Sequence, residues 1–240
     1  MKIVAIVQAR MGSTRLPGKV LRDLVGKPMI ERVLERVRRA GSLDEIIVAT
    51  SGLRRDDPLA DWLAASHHAC FRGSERDVLA RFSGAAVRTG ADAIVRITAD
   101  CPLIDPGVID DVVAAFRSGH FDYASNVLPR RTFPRGLDTE IFTRTALEIS
   151  AREATDAGSR EHVTTFVHRH PERFHQHGVE ADGDYSEHRW TVDTPEDFAL
   201  IEEIYGALGD ACFSWKDVLR LLGENPAWPE INRHIAQKTA

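Results

Sequence analysis

Short runs of Val, Ile and Ala alternate with amphipathic segments through the first half of the chain. The apolar runs predict buried strands, and they lie at residues 2–7, 45–50, 67–72 and 92–98. The amphipathic segments predict helices, and they lie at residues 28–41, 58–66, 74–90 and 105–119. Such strands, separated by helices, indicate parallel strands covered on both faces. The pattern predicts an α/β fold with a doubly wound, mainly parallel sheet, in which ligands bind beyond the carboxyl ends of the strands.

Residues that favour helix ends support these boundaries. Ser74 is the predicted N-cap of the third helix, and Asp105, followed by a proline, begins the fourth. A later helix is predicted at 194–208, where Thr194 is the N-cap, and a last one at 214–225.

Residues 120–190 have a different character, with shorter, more polar and more aromatic segments. They predict a small mixed β/α extension that carries two helices, near 143–154 and 158–170. No repeat and no low-complexity linker sets this segment apart. We therefore expect one domain over residues 1–240, with the extension grafted onto its core.

Composition argues against several classes of protein. The 240 residues carry a formal charge of −5 at pH 7, which disfavours a dedicated nucleic-acid binder. No apolar stretch approaches the ~20 residues of a membrane span. The three cysteines are widely spaced, so neither a disulfide framework nor a zinc site is indicated. We expect a cytoplasmic protein that binds neither nucleic acid nor membrane.

A basic loop follows the first strand, with the sequence QARMGSTRLPGK at residues 8–19. Its cations are Arg10, Arg15 and Lys19, and residues 1–22 contain no acid. Glycines and a proline let backbone N–H groups curl around an anion, and full charges beside them suit a triphosphate. The spacing fits neither a Walker A loop nor a G-x-G-x-x-G fingerprint. The alternative is a solvated loop, which we disfavour because three cations without a neighbouring acid would repel one another.

Two aspartates follow predicted strands at the same edge of the sheet, one strand at 92–98 and a short one at 186–192. Asp100 follows the strand at 92–98, and Asp193 precedes the helix at 194–208. Each aspartate alone is a common strand-end cap. Two carboxylates that converge beside a phosphate-binding loop instead favour Mg²⁺, which takes a few carboxylates together with phosphate oxygens.

The stretch VQARMGSTRLPGKVLRDLVGKPMIERVLERV closely resembles the start of the cytidylyltransferases that activate acidic sugars, such as the 3-deoxy-manno-octulosonate and N-acylneuraminate enzymes. Within this family the chain looks most like the spore coat polysaccharide biosynthesis protein F branch, through RGSERDVLARF, RITADCPLIDP, FPRGLDTEIF, SREHVTTFVHRHPERF and RWTVDTPEDF. The resemblance implies a Rossmann-like sheet of the nucleotide-diphospho-sugar transferase type. It also implies a reaction in which an oxygen of a sugar acid attacks the α-phosphate of CTP and pyrophosphate leaves, for surface polysaccharide or glycoconjugate synthesis.

Roles for the motif residues follow from the same resemblance. Arg10, Arg15 and Lys19 would hold the β- and γ-phosphates and stabilise the leaving pyrophosphate. These three residues and Asp100 are the predicted catalytic residues. Asp100 and Asp193 would bind one or two Mg²⁺ ions. The other predicted nucleotide-binding residues are Gln8, Ala9, Gly12, Ser13, Arg72 and Ser74.

Two motifs are candidates for binding the acceptor sugar, RGLDTE at 135–140 and SREH at 159–162. Arg135 or Arg160 could clamp a carboxylate with two parallel hydrogen bonds. The remaining candidates could bond sugar hydroxyls, and they are Asp138, Glu140, Glu161 and His162. Surface ion pairs or helix caps are the alternative for each of them.

One position departs from the neuraminate enzymes, which carry Asp-x-Asp at the late metal motif. Thr191 occupies the first of those places, and only Asp193 remains. The departure brings the chain nearer to the octulosonate arrangement and argues against a neuraminate acceptor.

Three other functions fit parts of the sequence. A sugar-1-phosphate nucleotidyltransferase normally has its lysine farther from the Gly-Thr-Arg turn than Lys19 lies from GSTR. A nucleotide-sugar glycosyltransferase of similar architecture usually has Asp-x-Asp at the metal strand, whereas ADCP at 99–102 has one aspartate. A non-catalytic nucleotide-binding subunit usually lacks the metal carboxylates or the phosphate-binding lysine, and all of them are present here. An active cytidylyltransferase is therefore the favoured interpretation, and the resemblance further implies a homodimer in which residues 120–190 reach the partner.

Overall fold

Seven strands join in one sheet in the computed structural model, which describes residues 1–209 and 212–236. In chain order they are β1 (Ile3–Gln8), β2 (Glu45–Ser51), β3 (Cys70–Gly73), β4 (Ala93–Thr98), β5 (Tyr123–Ser125), β6 (Glu140–Thr143) and β7 (Gln176–Gly178). Across the sheet the order is β3-β2-β1-β4-β6-β5-β7. The first four strands run parallel, β6 is antiparallel to β4 and β5, and β7 is parallel to β5. The predicted doubly wound, mainly parallel sheet is confirmed, and the strands within 120–190 widen that same sheet.

Helices cover both faces of the sheet. Those in the described part of the chain are α1 (Met29–Val37), α2 (Asp57–Ala65), α3 (Val78–Thr89), α4 (Pro106–Arg117), α5 (Arg144–Glu153), α6 (Ala157–Glu161), α7 (Thr165–Arg169), α8 (Pro195–Leu208) and α9 (Trp215–Glu224). None of these helices has both the length and the apolar character that a membrane crossing needs.

Side chains of β1 alternate between the two halves of the core. Ala5 and Val7 pack into a cluster with α1, α4 and α8, whereas Val4 and Ile6 pack into a second cluster with α3 and α5. All four are fully buried. Because both faces are covered, the carboxyl ends of the parallel strands form the open edge where the loops with the predicted site residues meet.

The third helix begins later than the sequence pattern predicts. α3 begins at Val78, and its N-cap is Asp77, whose carboxylate accepts a hydrogen bond from the Ala80 N–H at 2.9 Å. The Ser74 hydroxyl accepts from the Asp77 N–H at 3.0 Å and shapes the turn before the helix. Ser74 is therefore not the N-cap, because the buried first turn starts at Val78 and the cap must directly precede it.

The helix predicted at 158–170 is divided into α6 and α7. His162 leaves the helical region with φ −105° and ψ 67°. The Thr164 hydroxyl then donates to Glu140 Oε1 at 2.7 Å, a bond buried against the sheet. This inward turn of residues 162–164 prevents one continuous helix.

Candidate active site

The basic loop after β1 is held in place by a buried carboxylate. Asp56 is fully buried, and its two oxygens accept hydrogen bonds from the Met11 N–H, at 2.6 Å, and from the Ser51 hydroxyl. Gly18 adopts φ +71°, a left-handed conformation that favours glycine, and its N–H donates to the Met11 carbonyl at 3.0 Å. The loop is therefore closed on itself directly before Lys19.

Lys19 lies between the two predicted metal ligands. Its Nζ is 3.3 Å from Asp100 Oδ2 and 3.1 Å from Asp193 Oδ1, and it donates to the Val192 carbonyl at 2.5 Å. The lysine side chain is 9% exposed, whereas those of Asp193 and Asp100 are 17% and 29% exposed. The structure thus brings together three residues from the basic loop, the end of β4 and the segment before α8.

Pairing of the loop cations differs from the acid-free loop expected from the sequence. Arg15 contacts Asp193 Oδ2 at 2.9 Å, and Lys19 contacts both aspartates. Arg10 is exposed, and no hydrogen bond or ion pair links its side chain to the described residues. Distant aspartates therefore relieve much of the repulsion that we expected an anion to relieve.

Charges around Asp193 control its protonation. Burial by itself would raise the pKa of Asp193, but neighbouring cations outweigh burial and hold that pKa below its usual value. These cations are Lys19, Arg15 and Arg189. Burial would lower the pKa of Lys19, but Asp100 and Asp193 raise it above its usual value. Asp193 and Lys19 are therefore both charged at neutral pH.

A second ion pair, which sequence reasoning missed, supports Asp193. Arg189 donates through Nε to Asp197 Oδ1 at 2.8 Å and through Nη2 to Asp193 Oδ2 at 3.1 Å. Asp197 Oδ2 accepts from the N–H groups of Asp193 and Thr194 at 2.9 and 3.1 Å, which completes a capping box at the start of α8. Thr194 is the N-cap, as predicted. Arg189 and Asp197 together fix both the backbone and the carboxylate of Asp193.

The two aspartates fit the oxygen-donor chemistry of Mg²⁺. Their carboxylates converge on the position of Lys19 Nζ. The Asp100 carboxylate otherwise contacts only the weak donor Cys101 Sγ, at 3.6 Å, among the described residues. No cluster of three or more His, Cys, Asp or Glu suited to a metal occurs in residues 1–209 and 212–236. Phosphate and water oxygens would have to complete the shell, which is how Mg²⁺ binds in nucleotide sites.

Thr191, which stands where Asp-x-Asp would begin, ties the two aspartate segments together. Its hydroxyl donates to the Asp100 carbonyl at 3.4 Å, and the Val192 N–H donates to the same oxygen at 2.7 Å. The backbone before α8 is thereby joined to the end of β4, which places Asp193 beside Asp100.

Four predicted nucleotide-binding residues lie at the end of β1 and in the basic loop. Gln8 ends β1, and its Oε1 is buried without a hydrogen-bond partner among the described residues. Ala9 is buried next to it, and Gly12 and Ser13 lie in the closed loop. A Cβ on Gly12 would lie 3.3 Å from the Arg55 guanidinium, so the loop packs closely there. Gln8 Oε1 is an acceptor that a ligand donor could satisfy.

Arg72 and Ser74 make contacts within the protein. Arg72 donates to the carbonyls of Ser51 and Leu53, each at 3.0 Å, and to Asp57 Oδ1 at 2.7 Å. Arg72 therefore braces the loop after β2, and Ser74 shapes the turn before α3.

A cleft of about 540 Å³ opens beside the basic loop, and we call it the α6 cleft. Its lining includes Arg10, Arg76, Asp77, Arg160 and Glu161. Arg160, Glu161 and His162 are predicted acceptor ligands, but the structure places the first two beside the basic loop. His162 is the C-cap that directly follows α6.

Glu140, another predicted acceptor ligand, lies in a buried polar network. Its side chain is 5% exposed, accepts from Tyr123 Oη and Thr164 Oγ1, each at 2.7 Å, and pairs with Arg96. Burial would raise the pKa of Glu140, but Arg96 and His168 outweigh it and hold that pKa well below its usual value. A sugar hydroxyl cannot reach a carboxylate enclosed in this way, so Glu140 joins β6 to its neighbours and is left out of the proposed acceptor site.

Arg135 is the candidate residue for acceptor binding whose guanidinium is available to a ligand. Its side chain has no hydrogen bond or ion pair with the described residues, and it lines a cleft of about 370 Å³ that we call the Arg135 cleft. Burial lowers the pKa of Arg135, and the nearby cations Arg131 and Arg189 lower it further, against the effect of Asp138. Asp138 itself pairs with Arg131 through two contacts of 2.5 and 2.8 Å. An anion in this cleft would relieve the repulsion around Arg135.

Comparisons with known proteins identify the family of this chain. A family model described as cytidylyltransferase matches residues 4–220. The chain is 34% identical over 232 residues to the spore coat polysaccharide biosynthesis protein SpsF of Bacillus subtilis, covering 93% of this chain and 95% of that protein. It is 39% identical over 120 residues to a 3-deoxy-manno-octulosonate cytidylyltransferase of Geobacter metallireducens, covering 48% of this chain and 44% of that protein.

The fold agrees as well. The solved structure of a cytidylyltransferase from Leptospira borgpetersenii superimposes with a TM-score of 0.91 at 32% identity, covering the whole of both chains. The resemblance seen in the sequence motifs is therefore confirmed. The chain belongs to the cytidylyltransferase family, and it is a CTP-dependent nucleotidyltransferase.

Proposed function

We propose that this protein transfers CMP from CTP to a hydroxyl of an acidic sugar and releases pyrophosphate, for the synthesis of a surface polysaccharide or glycoconjugate. The observation that carries the proposal is the contact of Lys19 Nζ with both Asp100 and Asp193 at the end of a basic loop. The acidic nature of the sugar is supported by the available guanidinium of Arg135 and by the similarity to a 3-deoxy-manno-octulosonate cytidylyltransferase.

Three cations act on the leaving group in this proposal. Arg10, Arg15 and Lys19 contact the β- and γ-phosphates and neutralise the charge that grows on pyrophosphate as the bond from the α-phosphorus to the bridging oxygen breaks. Arg15 and Lys19 are already oriented by Asp193, so their charges need little reorganisation during the reaction.

Asp100 and Asp193 are proposed to hold one or two Mg²⁺ ions. When bound, the ion supplies positive charge to the phosphate oxygens. Asp193 stays ionised because of its cationic neighbours, and Arg189 and Asp197 keep its carboxylate in place.

The acceptor sugar is proposed to bind in the Arg135 cleft. Its carboxylate takes two parallel hydrogen bonds from the Arg135 guanidinium. Asp138 keeps lone pairs beyond its bonds to Arg131, and it accepts from a sugar hydroxyl. The attacking hydroxyl gives its proton to solvent water as its oxygen bonds to the α-phosphorus, and the bond from that phosphorus to the bridging oxygen of pyrophosphate breaks.

We also propose a homodimeric, cytoplasmic enzyme. The free thiols of Cys70, Cys101 and Cys212 and the use of CTP support the compartment. The family resemblance supports the dimer, and light scattering that gives the mass of a single chain would contradict it.

A pyrophosphate-release assay that crosses nucleoside triphosphates with sugars tests the proposed function. We expect release with CTP and an ulosonic or nonulosonic acid, loss of release with EDTA, and recovery with Mg²⁺. Arg135→Gln is expected to raise the KM for the sugar about tenfold without changing that for CTP, and Arg220→Gln, on the exposed face of α9, is the matched control. Efficient reaction with a neutral sugar or a sugar 1-phosphate would contradict the proposal.

A further inference from the structure

The segment that follows α9, residues 225–235, carries an inference that rests on the proposed function and deepens it. We propose that Asn232 is a positioning residue for the metal site. Its side-chain amide holds Arg189 and Asp197, and through them it fixes the carboxylate of Asp193. The segment lies beyond residue 220, where the match to the cytidylyltransferase family model ends. The sequence motifs assign no role to it.

The segment after α9 is packed onto α8. A short 3₁₀ turn, Pro229–Ile231, places the partly buried side chains of Trp228 and Ile231 against the half of the core that contains α8. The Ile231 N–H donates to the Trp228 carbonyl and the Ile235 N–H to the Asn232 carbonyl, each at 3.0 Å. Asn232 lies between these two bonds and is 3% exposed. Its side chain is therefore held by the fold and points into the protein.

The amide of Asn232 contacts both partners of the buried ion pair behind Asp193. Its Nδ2 donates to the Arg189 carbonyl and to Asp197 Oδ1, each at 2.9 Å. An amide nitrogen carries two hydrogens, so one atom serves both acceptors. Removing such a donor leaves buried acceptors unsatisfied, which costs free energy. This position therefore calls for a side chain with two donors.

Backbone pairing around Arg189 explains why a side chain is used here. The Arg135 N–H donates to the His188 carbonyl at 3.0 Å, and the Trp190 N–H donates to the Arg135 carbonyl at 2.7 Å. In such a parallel pairing the backbone groups of the intervening residue, Arg189, point the opposite way. Asn232 supplies the donor on that side, in the place that a neighbouring strand would take.

Asp197 passes this restraint to Asp193. Arg189 Nε and Asn232 Nδ2 both donate to Asp197 Oδ1, at 2.8 and 2.9 Å, so donors from two chain segments fix the orientation of this carboxylate. Asp197 Oδ2 accepts from the Asp193 N–H at 2.9 Å, and Arg189 Nη2 donates to Asp193 Oδ2 at 3.1 Å. Loss of the Asn232 bonds would loosen both supports of Asp193. Groups that hold a metal's ligands in place commonly control its affinity in this way.

Metal affinity separates positioning by Asn232 from simple packing. We expect Asn232→Ala to weaken Mn²⁺ binding to the protein–CTP complex about tenfold. Its affinity for CTP in EDTA should match the wild type. Water-proton relaxation by Mn²⁺, without an acceptor, gives the first value, and equilibrium dialysis of labelled CTP gives the second. Asn225→Ala is the matched control and should change neither, because the Asn225 amide donates to the Leu221 carbonyl, at the end of α9.

A double-mutant cycle tests whether Asn232 acts through Asp197. Asp197→Asn keeps the shape of the side chain, removes its charge and should itself weaken Mn²⁺ binding. Adding Asn232→Ala to Asp197→Asn should then weaken Mn²⁺ binding much less than the same change does in the wild type. If Asn232→Ala lowers the yield of folded protein, Asn232→Ser, which keeps one donor, should show the same pattern with a smaller shift.

Fully additive effects in the cycle would overturn the inference. An unchanged Mn²⁺ affinity in Asn232→Ala would also overturn it, even with a higher KM for the acceptor, because Asn232 also lines the Arg135 cleft. Failure of the proposed function is distinguishable. The wild-type protein would then release no pyrophosphate with any acidic sugar, while Mn²⁺ binding, measured without an acceptor, still reports on Asn232.

Discussion

Lys19 and Asp193 are 174 positions apart in the sequence, yet Lys19 Nζ lies 3.1 Å from Asp193 Oδ1. The contact joins the first loop of the chain to the segment before α8, and Asp100 reaches the same nitrogen from the end of β4. Charge at the proposed reaction centre therefore depends on three chain segments that meet at one edge of the sheet, and each segment can be perturbed separately.

Replacement of Lys19 tests the centre of this cluster. Lys19→Met removes the cation from the proposed phosphate site and should lower turnover about 10²–10³-fold, the usual effect of losing one preorganised donor at a developing charge. Steady-state pyrophosphate release at saturating CTP gives the value. Lys216→Met, which removes an exposed lysine paired with Asp182, is the control and should match the wild type. Wild-type turnover in Lys19→Met would remove this lysine from the mechanism.

Asp197 offers a test of the support behind Asp193. Asp197→Ala leaves the buried guanidinium of Arg189 without its main partner and should reduce the free energy of unfolding by about 3–5 kcal/mol. Urea denaturation measures the loss. Asp217→Ala is a matched control, because Asp217 has the same place in the capping box of α9 but is exposed, and a much smaller loss is expected. Equal losses in the two variants would show that the buried pair contributes nothing beyond a helix cap.

The depressed pKa of Asp193 predicts a pH dependence of stability. A carboxyl whose pKa is lower in the folded state stabilises the fold above its ordinary pKa of 3.8, and this contribution disappears as the pH falls through the lowered value. Asp193→Asn should therefore be less stable than the wild type by about 1–3 kcal/mol at pH 6, with a smaller difference near pH 3. Urea unfolding at the two pH values measures this change. A difference that stays constant with pH would contradict the assigned charge pairing.

Gly136 tests the contact between the Arg135 cleft and the segment before α8. This glycine has φ +106°, and a Cβ at its position would lie 2.8 Å from the Trp190 carbonyl carbon. Gly136→Ala should therefore destabilise the protein by more than ~1 kcal/mol. Gly206→Ala, at an open position in α8, should instead stabilise it by ~0.5–1 kcal/mol. Thermal denaturation of both variants provides the comparison, and the same sign for both would contradict the packing described.

Most of the sheet was predictable because its strands are locally encoded. The apolar residues in runs such as those at 2–7 and 92–98 favour burial, and the helices between the runs require parallel crossovers. The division of 158–170 was not predictable, because it depends on Thr164 reaching the enclosed carboxylate of Glu140, a contact between distant segments. Local pattern gives no sign of such a bond.

Specific motifs predicted which residues lie together at the end of the basic loop, but residues that act through distant contacts were missed. Lys19, Asp100 and Asp193 meet as the motifs suggest. Asp56 was missed because it lies in a run of charged residues, which is typical of a surface loop. The structure instead buries it fully, beneath the basic loop. Arg189 was also missed, but its position four residues before Asp193 and eight before Asp197 was an available signal.

A crystal structure with CTP and Mn²⁺ in place of Mg²⁺ would show whether the two aspartates and the basic loop bind one metal–nucleotide complex, because Mn²⁺ can be located by its anomalous scattering. We expect an anomalous peak beside the carboxylates of Asp100 and Asp193, with the triphosphate against Arg10, Arg15 and Lys19. A peak away from both aspartates, or a triphosphate bound at another edge of the sheet, would contradict it.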